Sequence, residues 1–161
     1  MKANVKNWSS DGQVADYLLN LLHGKAFDKS GLIYGIGHAI YSLSDPRATI
    51  FESFVKELSS SKNREEEYDL YSRVARLAPE IIAKEKMMYK GVSSNIDFYS
   101  GFVYDMLNLP KELFTPIFAI ARVAGWSAHR IEELINSSRI IRPAYKSVCP
   151  SNNYIPLTER K

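Results

Sequence analysis

The stretch EEEYDLYSRVARLAPEIIAKEKMMY, residues 65–89, decides the fold class. Its inward apolar positions recur every three or four residues, the spacing of one face of an α-helix. They are Tyr68, Tyr71, Val74, Ala75, Ala78 and Ile82. Pro79 lies inside the stretch and lacks an N–H donor, so we expect a kink or a break into two helices there.

The same spacing continues on both sides of this stretch. A first helix is predicted over 14–22, capped by Ser10 or Asp11, and a second opens after Pro46 and ends in a polar loop at 59–63. Their inward residues are Val14, Tyr17, Leu18, Leu21 and Leu22, then Phe51, Phe54, Val55 and Leu58. Because no period-two strand exceeds a few residues, the predicted fold class is all-α.

The C-terminal half is helical too. A helix restarts near Asp97, and LNLPKEL, 107–113, interrupts the pattern. The stretch LFTPIFAIARVAG, 113–125, is apolar nearly all round and predicts a helix buried on every side, followed by an amphipathic helix over 127–138. From residue 140 the chain reads as an extended arm that packs on another part of the protein or on a second subunit.

Composition excludes several functional classes. The chain has 161 residues, 21 basic and 18 acidic residues and a net charge of +3, which is too mild and scattered for a nucleic-acid binder. Three histidines leave little for a metal site, and we predict none; the single cysteine forms no internal disulfide, which favours a reducing compartment. With no apolar signal core or membrane span, we expect a soluble, cytoplasmic protein.

A glycine-flanked histidine is the first candidate site. Gly35 and Gly37 permit positive φ and let the backbone approach a ligand closely, and His38 can then donate a hydrogen bond to a carbonyl or act as general acid. A helix N-terminus with a satisfied histidine is the alternative. Seven residues after His38, Asp45 precedes Pro46 and Arg47, whose planar guanidinium matches a carboxylate. Taken alone, a surface pair between Arg47 and Asp45 is favoured.

Asp97 and Arg122 are charged residues in apolar surroundings. Asp97 lies between Ile96 and Phe98, so it serves either as a desolvated base or, like Asn95, as a helix cap. Arg122 lies in the most apolar predicted helix, where a buried guanidinium requires an acidic side chain or an anionic ligand. Arg142 is a further arginine beside apolar residues, on the predicted arm. With His38 and Asp97, the three arginines would form a pocket for a small dicarboxylate.

Four motifs carry a family resemblance. They are GIGHAIYSLSDPRA (35–48), NIDFYSG (95–101), FAIARVAGWSAHRIEE (118–133) and IIRPAY (140–145). Their order and spacing resemble those of citrate synthases over nearly the whole chain. The resemblance implies a citrate synthase-like fold, with most of the small domain over 1–108 and a C-terminal segment of the large domain, including the arm, over 109–161.

The family condenses acetyl-CoA with oxaloacetate and hydrolyses the citryl thioester to citrate and CoA. The resemblance implies that Asp97 removes the methyl proton and that His38 hydrogen-bonds the oxaloacetate carbonyl. Arg47 and Arg122 would hold carboxylates, and Arg142 would reach the neighbouring subunit of a homodimer. The implied CoA-binding residues are Leu32, Ile33, Gly35, Ile36, Gly37, Lys90 and Asn95. Acetyl-CoA would be a co-substrate, with no permanently bound cofactor.

One expected residue is missing. Family members carry a further catalytic histidine upstream, and His23 lies too close to His38 to be that residue, so we interpret it as the end of the first helix. His129 is interpreted as a packing or surface residue. The chain alone is therefore expected to be inactive. Alternatives are 2-methylcitrate synthase, which uses propionyl-CoA, and a non-catalytic module that binds CoA or carboxylates and completes another chain.

Overall fold

The computed structural model of the chain describes residues 1–87, 91–136, 153 and 155–160. These residues form five α-helices and two short 3₁₀ turns, Lys111–Leu113 and Leu157–Glu159. The helices are α1 (Asp11–Leu22), α2 (Pro46–Ser61), α3 (Glu65–Glu85), α4 (Ile96–Met106) and α5 (Phe114–Asn136). The described part of the chain contains no strand, and its one isolated antiparallel bridge joins Ile36 to Ser94. The predicted all-α class is confirmed.

The chain divides into two compact units, Met1–Phe118 and Ala119–Lys161. The first contains α1 to α4 and the start of α5, and the second contains the rest of α5. The domain boundary predicted after residue 108 stays a prediction. No helix within the described residues is long and apolar enough to cross a membrane.

Helices α1 and α3 form the first layer of the first unit. Ser10 caps α1, because its Oγ accepts a hydrogen bond of 3.4 Å from the Gln13 N–H, and Val14 and Leu18 are fully buried one turn apart. The opposing face of α3 buries a residue at every fourth position: Leu70, Val74, Ala78 and Ile82. Both predicted amphipathic faces therefore meet each other.

Helices α2 and α4 form the second layer. Ala48 and Val55 of α2 pack with the buried residues of α4, which are Tyr99, Phe102 and Met106. Tyr71 of α3 stacks on Phe102 with ring centroids 4.5 Å apart. Phe98, in the first turn of α4, packs against both clusters and joins the two layers beside the predicted site.

Helix α3 continues through Pro79, so the break does not occur, and the kink given as the other outcome stays a prediction. The proline removes the N–H that would bind the Ala75 carbonyl, yet Val74 and Ile82 are buried on either side of it. Tertiary packing of the apolar face holds both halves in one helix. The predicted polar loop at 59–63 is likewise wrong, since α2 runs to Ser61 and buries Ser59, whose Oγ donates to the Lys56 carbonyl.

Helix α5 differs from its prediction in two ways. Residues 113–125 and 127–138 were expected to form separate helices, but one helix runs to Asn136 and passes through Gly125. It was also expected to be buried on every side, yet none of its residues is buried. Six of its large apolar side chains are 54–76% exposed: Ile120, Val123, Trp126, Ile131, Leu134 and Ile135. An apolar pattern favours burial, but burial requires a covering partner, and the described residues do not supply one.

The position of Pro79 makes a prediction for stability. Pro79→Ala restores the N–H donor to the Ala75 carbonyl and should raise the free energy of unfolding by about 1–3 kcal/mol. Pro110→Ala is the matched control, because Pro110 precedes a 3₁₀ turn at φ −57° and suits proline, so its loss should lower stability by about 0.4–1 kcal/mol. Urea unfolding followed by circular dichroism measures both. Equal changes in the free energy of unfolding for the two variants would contradict the claim that Pro79 destabilises α3.

Candidate functional site

The buried carboxylate of Asp45 organises the first part of the site. Its side chain caps α2 by accepting the Arg47 N–H at 3.0 Å, and it also accepts the Ile96 N–H, at the start of α4, at 3.2 Å. Asp45 is only 1% exposed. One carboxylate therefore fixes the N-termini of two helices, which is why a charge can be buried here.

Arg47 forms a two-pronged ion pair with Asp45. Its Nε donates to Oδ1 at 3.0 Å and its Nη2 donates to Oδ2 at 2.8 Å. The hydrogen bonds from the Arg47 side chain, helped by the Arg47 and Ile96 N–H groups, lower the pKa of Asp45 to about 2 against the opposing effect of burial. The expected pairing of Arg47 with Asp45 is confirmed, but the expectation of a surface pair is wrong for Asp45, whose carboxylate is buried.

The guanidinium of Arg47 also faces outward. Its side chain is 46% exposed, and its guanidinium carbon lies 5.3 Å from the centre of the Tyr41 ring. The hydrogen bond to Asp45 raises the pKa of Arg47 despite desolvation, and the charge of Asp97 raises it further. The exposed part of the Arg47 guanidinium can take an anion.

His38 is held in one tautomer by its own loop. Its Nδ1 accepts hydrogen bonds from the Ile40 N–H at 3.1 Å and the Tyr41 N–H at 3.2 Å. An imidazole nitrogen that accepts carries no proton, so the hydrogen-bond network assigns the proton of the neutral ring to Nε2. Because His38 is exposed, Nε2–H is available to donate to a ligand.

Two extended segments bring the loop of His38 to the start of α4. The Gly37 N–H donates to the Ser93 carbonyl at 2.7 Å, and the Asn95 N–H donates to the Gly35 carbonyl at 2.9 Å. The Asn95 side chain adds a bond of 2.7 Å from Nδ2 to the Gly37 carbonyl. These contacts surround the bridge between residues 36 and 94 and place His38 and Asp97 on adjoining segments.

Asp97 is exposed in the first turn of α4, so the expectation of a desolvated carboxylate is wrong for the described residues. The helix is capped by Asn95, whose Oδ1 accepts the Asp97 N–H at 3.0 Å. The neighbouring apolar residue Phe98 turns inward while Asp97 faces solvent. Neighbouring residues of a helix face different sides, so apolar neighbours in the sequence do not imply that Asp97 itself is buried.

The predicted CoA loop lines a cleft of about 250 Å³. Leu32, Ile33, Ile36 and Gly37 line this cleft together with His38, and the role of the loop in binding CoA stays a prediction. Further lining comes from the end of α1, the end of α3 and the segment before α4: Leu22, Ile82, Lys86, Gly91 and Val92. The lining is mostly apolar side chains, with two glycines, His38 and one lysine, Lys86.

Three further predicted site residues are not among the described residues of the first unit. Arg122 belongs to the second unit and is exposed, so the expectation of a buried guanidinium is wrong. Lys90 and Arg142 lie outside the described residues. His23 ends α1 as interpreted, with its Nε2 2.6 Å from Glu85 Oε2, and His129 is a surface residue 3.6 Å from Glu132.

Three residues near the site were not predicted to belong to it. Asp45 was considered only as a partner of Arg47, although the order Asp-Pro at a helix start is a capping signal that could have marked it. Tyr41 lies with its ring centroid 4.9 Å from that of His38. Lys86 reaches the cleft from the end of α3, and its Nζ lies 3.4 Å from the Gly31 carbonyl, a placement that no local pattern indicates.

Comparison with known proteins identifies the family of the chain. The family model for the C-terminal domain of citrate synthase matches residues 2–144. The chain is 40% identical over 129 residues to citrate synthase of Synechocystis, covering 80% of this chain and 31% of that protein. It is 34% identical over 140 residues to 2-methylcitrate synthase 1 of Corynebacterium glutamicum, a match that covers 85% of this chain and 34% of that protein.

A solved structure gives the same match. Citrate synthase of Thermoplasma acidophilum, in a ternary complex with carboxymethyl coenzyme A and oxaloacetate, superimposes with a TM-score of 0.64 and 30% identity over 98% of this chain and 40% of that one. The chain thus spans about a third of the length of the curated relatives that it matches.

Asp45 makes a prediction for pH dependence. Asp45→Asn keeps a side chain that caps α2 but removes the charge that binds Arg47, so the free energy of unfolding at pH 7 should fall by about 1–3 kcal/mol. The folded pKa of Asp45, about 2, lies below that of an unfolded aspartate, about 3.9. Its stabilising contribution is therefore complete above the unfolded pKa and is lost as the pH falls towards 2.

Denaturant unfolding between pH 7 and 2 measures this effect. The difference between wild type and Asp45→Asn should be constant above pH 5 and should narrow below pH 4. Asp16→Asn, at an exposed position on α1, is the control and should change neither the stability nor its pH dependence appreciably. A difference that stays constant down to pH 2 would contradict the role of the Asp45 charge.

Gly35 makes a prediction for the loop. Its φ is +80°, and a Cβ added there would lie 2.8 Å from Phe98 Cα, so Gly35→Ala should destabilise the first unit by about 1–3 kcal/mol. Gly101→Ala, in α4 with no atom within 4 Å of the added Cβ, should stabilise it by about 0.5–1 kcal/mol. Thermal unfolding followed by circular dichroism compares them, and two stabilising changes would refute the close approach to Phe98.

Proposed function

The chain belongs to the citrate synthase family, and on that premise we propose that it forms the C-terminal portion of an enzyme that condenses acetyl-CoA with oxaloacetate. The observation that carries the proposal is the hydrogen-bonded pairing of the 35–38 loop with the 93–95 segment, which sets His38 beside the start of α4. Arg47 and Asp97 then complete a group of an acid, a base and a cation within one unit.

The proposed first step is removal of a proton from carbon. Asp97 takes a proton from the methyl group of acetyl-CoA, and the resulting carbanion forms a bond to the carbonyl carbon of oxaloacetate. Nε2–H of His38 hydrogen-bonds that carbonyl oxygen and transfers its proton to it as the C–C bond forms, which gives the hydroxyl of citryl-CoA. The ring is left one proton short, and the proton that Asp97 took from the methyl group restores the balance when both groups return to their starting states. The tautomer fixed by the Ile40 and Tyr41 N–H groups supports this role, because it presents a donor at Nε2.

Binding of the two substrates follows from the remaining groups. Arg47 holds a carboxylate of oxaloacetate through the exposed part of its guanidinium, and Arg122 and Arg142, the second from a neighbouring subunit of a homodimer, supply further cations. The cleft beside His38 takes the adenine end of CoA. Acetyl-CoA is a co-substrate that leaves as CoA after water hydrolyses the citryl thioester, and no cofactor stays bound.

We expect the protein to be cytoplasmic and the chain by itself to have no activity. A thioester methyl is a very weak carbon acid, so its deprotonation needs a donor to the developing enolate oxygen in a site that excludes water. The upstream histidine that the family uses for this purpose is not among the residues of this chain. The span of about a third of the curated relatives supports the same expectation.

A second substrate preference has one observation in its favour. The match to 2-methylcitrate synthase 1 of Corynebacterium glutamicum covers 140 residues at 34% identity, and the match to the Synechocystis enzyme covers 129 residues at 40% identity. The proposed base, acid and cation would serve propionyl-CoA equally well, because its reacting carbon also lies next to the thioester. Activity with propionyl-CoA above that with acetyl-CoA would assign this alternative.

The proposed function is tested by restoring the missing portion. A chimaera replaces the matching C-terminal segment of the Synechocystis relative with this chain, and release of the CoA thiol from acetyl-CoA and oxaloacetate is followed optically. We expect turnover by the chimaera and none by the chain alone. A folded chimaera without turnover that also fails to bind CoA in calorimetry would refute the proposal, whereas binding without turnover would indicate a non-catalytic module.

Asp97 makes the sharpest prediction for catalysis. In the active chimaera, Asp97→Asn removes the base, so citrate formation and exchange of the acetyl-CoA methyl protons should both fall by about 100-fold or more. Oxaloacetate binding, measured by calorimetry, should change little. Asp69→Asn alters an exposed carboxylate on α3 and should leave turnover unchanged. Near-normal turnover in Asp97→Asn would refute the assignment of the base.

A further inference from the structure

We propose that Asn95 is a positioning residue that holds the His38 loop and the start of α4 in one fixed arrangement. The inference rests on the proposed function, since that function gives His38 and Asp97 their roles. Asn95 itself transfers no proton in this scheme. It acts through the two segments that its side-chain amide joins.

The two ends of the Asn95 amide bind different segments. Oδ1 accepts the backbone N–H of Asp97 at 3.0 Å, which caps α4. Nδ2 donates to the carbonyl of Gly37 at 2.7 Å, which belongs to the peptide bond that precedes His38. A single planar group thus connects the peptide units of the proposed base and the proposed acid.

The backbone of Asn95 strengthens the same connection. Its N–H donates to the Gly35 carbonyl at 2.9 Å, and its carbonyl accepts the Phe98 N–H at 3.1 Å. Main chain and side chain therefore both bind the glycine loop on one side and α4 on the other. Asn95 is partly buried, and bonds sheltered from water are lost less readily than those at the surface.

Only asparagine provides this combination at this length. Aspartate keeps the acceptor that caps the helix but has no N–H to donate, and its charge would face the Gly37 carbonyl oxygen. Serine caps a helix but is too short to reach the loop at the same time. Glutamine carries both groups on a side chain that is longer by one methylene, which moves the amide out of both bonds.

A positioning role differs from direct CoA binding in what it predicts. The resemblance assigns Asn95 to the CoA-binding residues, and that assignment stays a prediction. The structure assigns the strong hydrogen bonds of the amide to the protein itself. Loss of the donor should therefore misplace His38 relative to Asp97, which lowers kcat, whereas loss of a CoA contact would raise KM.

The first experiment separates the cap from the connection to the loop. Amide hydrogen exchange is measured by NMR in the wild-type chain and in Asn95→Asp. We expect exchange of the Gly37 N–H to accelerate about tenfold, while the Phe98 N–H and later amides of α4 keep their protection because aspartate is an equally good cap. Asn20→Asp, at an exposed position on α1, is the control and should leave Gly37 unchanged.

The second experiment measures the consequence for catalysis. In the active chimaera, Asn95→Asp should lower kcat by about 10- to 100-fold with an unchanged KM for acetyl-CoA. Unchanged exchange at Gly37, or a raised KM with an unchanged kcat, would overturn the positioning role. The exchange measurement uses the chain itself, so it decides the inference even if the wild-type chimaera is inactive, a result that would count against the proposed function instead.

Discussion

The ion pair between Asp45 and Arg47 is the interaction on which the first unit depends. The Asp45 carboxylate is buried where an unpaired charge would be costly, and it is tolerated because the Arg47 side chain and two backbone N–H groups bind it. One of those N–H groups belongs to Ile96 at the start of α4. The same group that begins α2 therefore fixes the origin of α4, and the two helices pack against each other from that point.

Two side chains thus locate the N-terminus of α4 from different directions. Asp45 binds the N–H of Ile96, and Asn95 binds the N–H of Asp97, so two successive backbone donors at the free end of the helix are satisfied by different partners. Asp45 connects this end to α2, and Asn95 connects it to the glycine loop. The glycine loop and the Asp45–Arg47 pair are thereby both connected to the helix end that carries Asp97, although His38 and Asp97 are 59 positions apart in the sequence.

The sequence was sufficient for features that local physics determines. Helix periodicity located α1 and α4, the glycines at 35 and 37 adopt the expected positive φ, and the pairing of Arg47 follows from its spacing to Asp45. Features set by distant packing were not accessible in this way. The continuity of α3 through Pro79 depends on α1, and the approach of Gly35 to Phe98 depends on α4, so neither could be inferred from its own segment.

The exposure of the proposed catalytic groups is also a feature that distant packing determines and that the local sequence does not. His38 and Asp97 are both open to solvent in the described residues, and the apolar side chains of α5 are exposed as well. Deprotonation of a thioester methyl requires water to be excluded, and charges act more strongly where the local dielectric is low. The first unit therefore fixes the segments that carry His38 and Asp97 through hydrogen bonds of the Asp45 and Asn95 side chains. In the proposed reaction, water would be excluded by the substrates and by protein beyond the described residues.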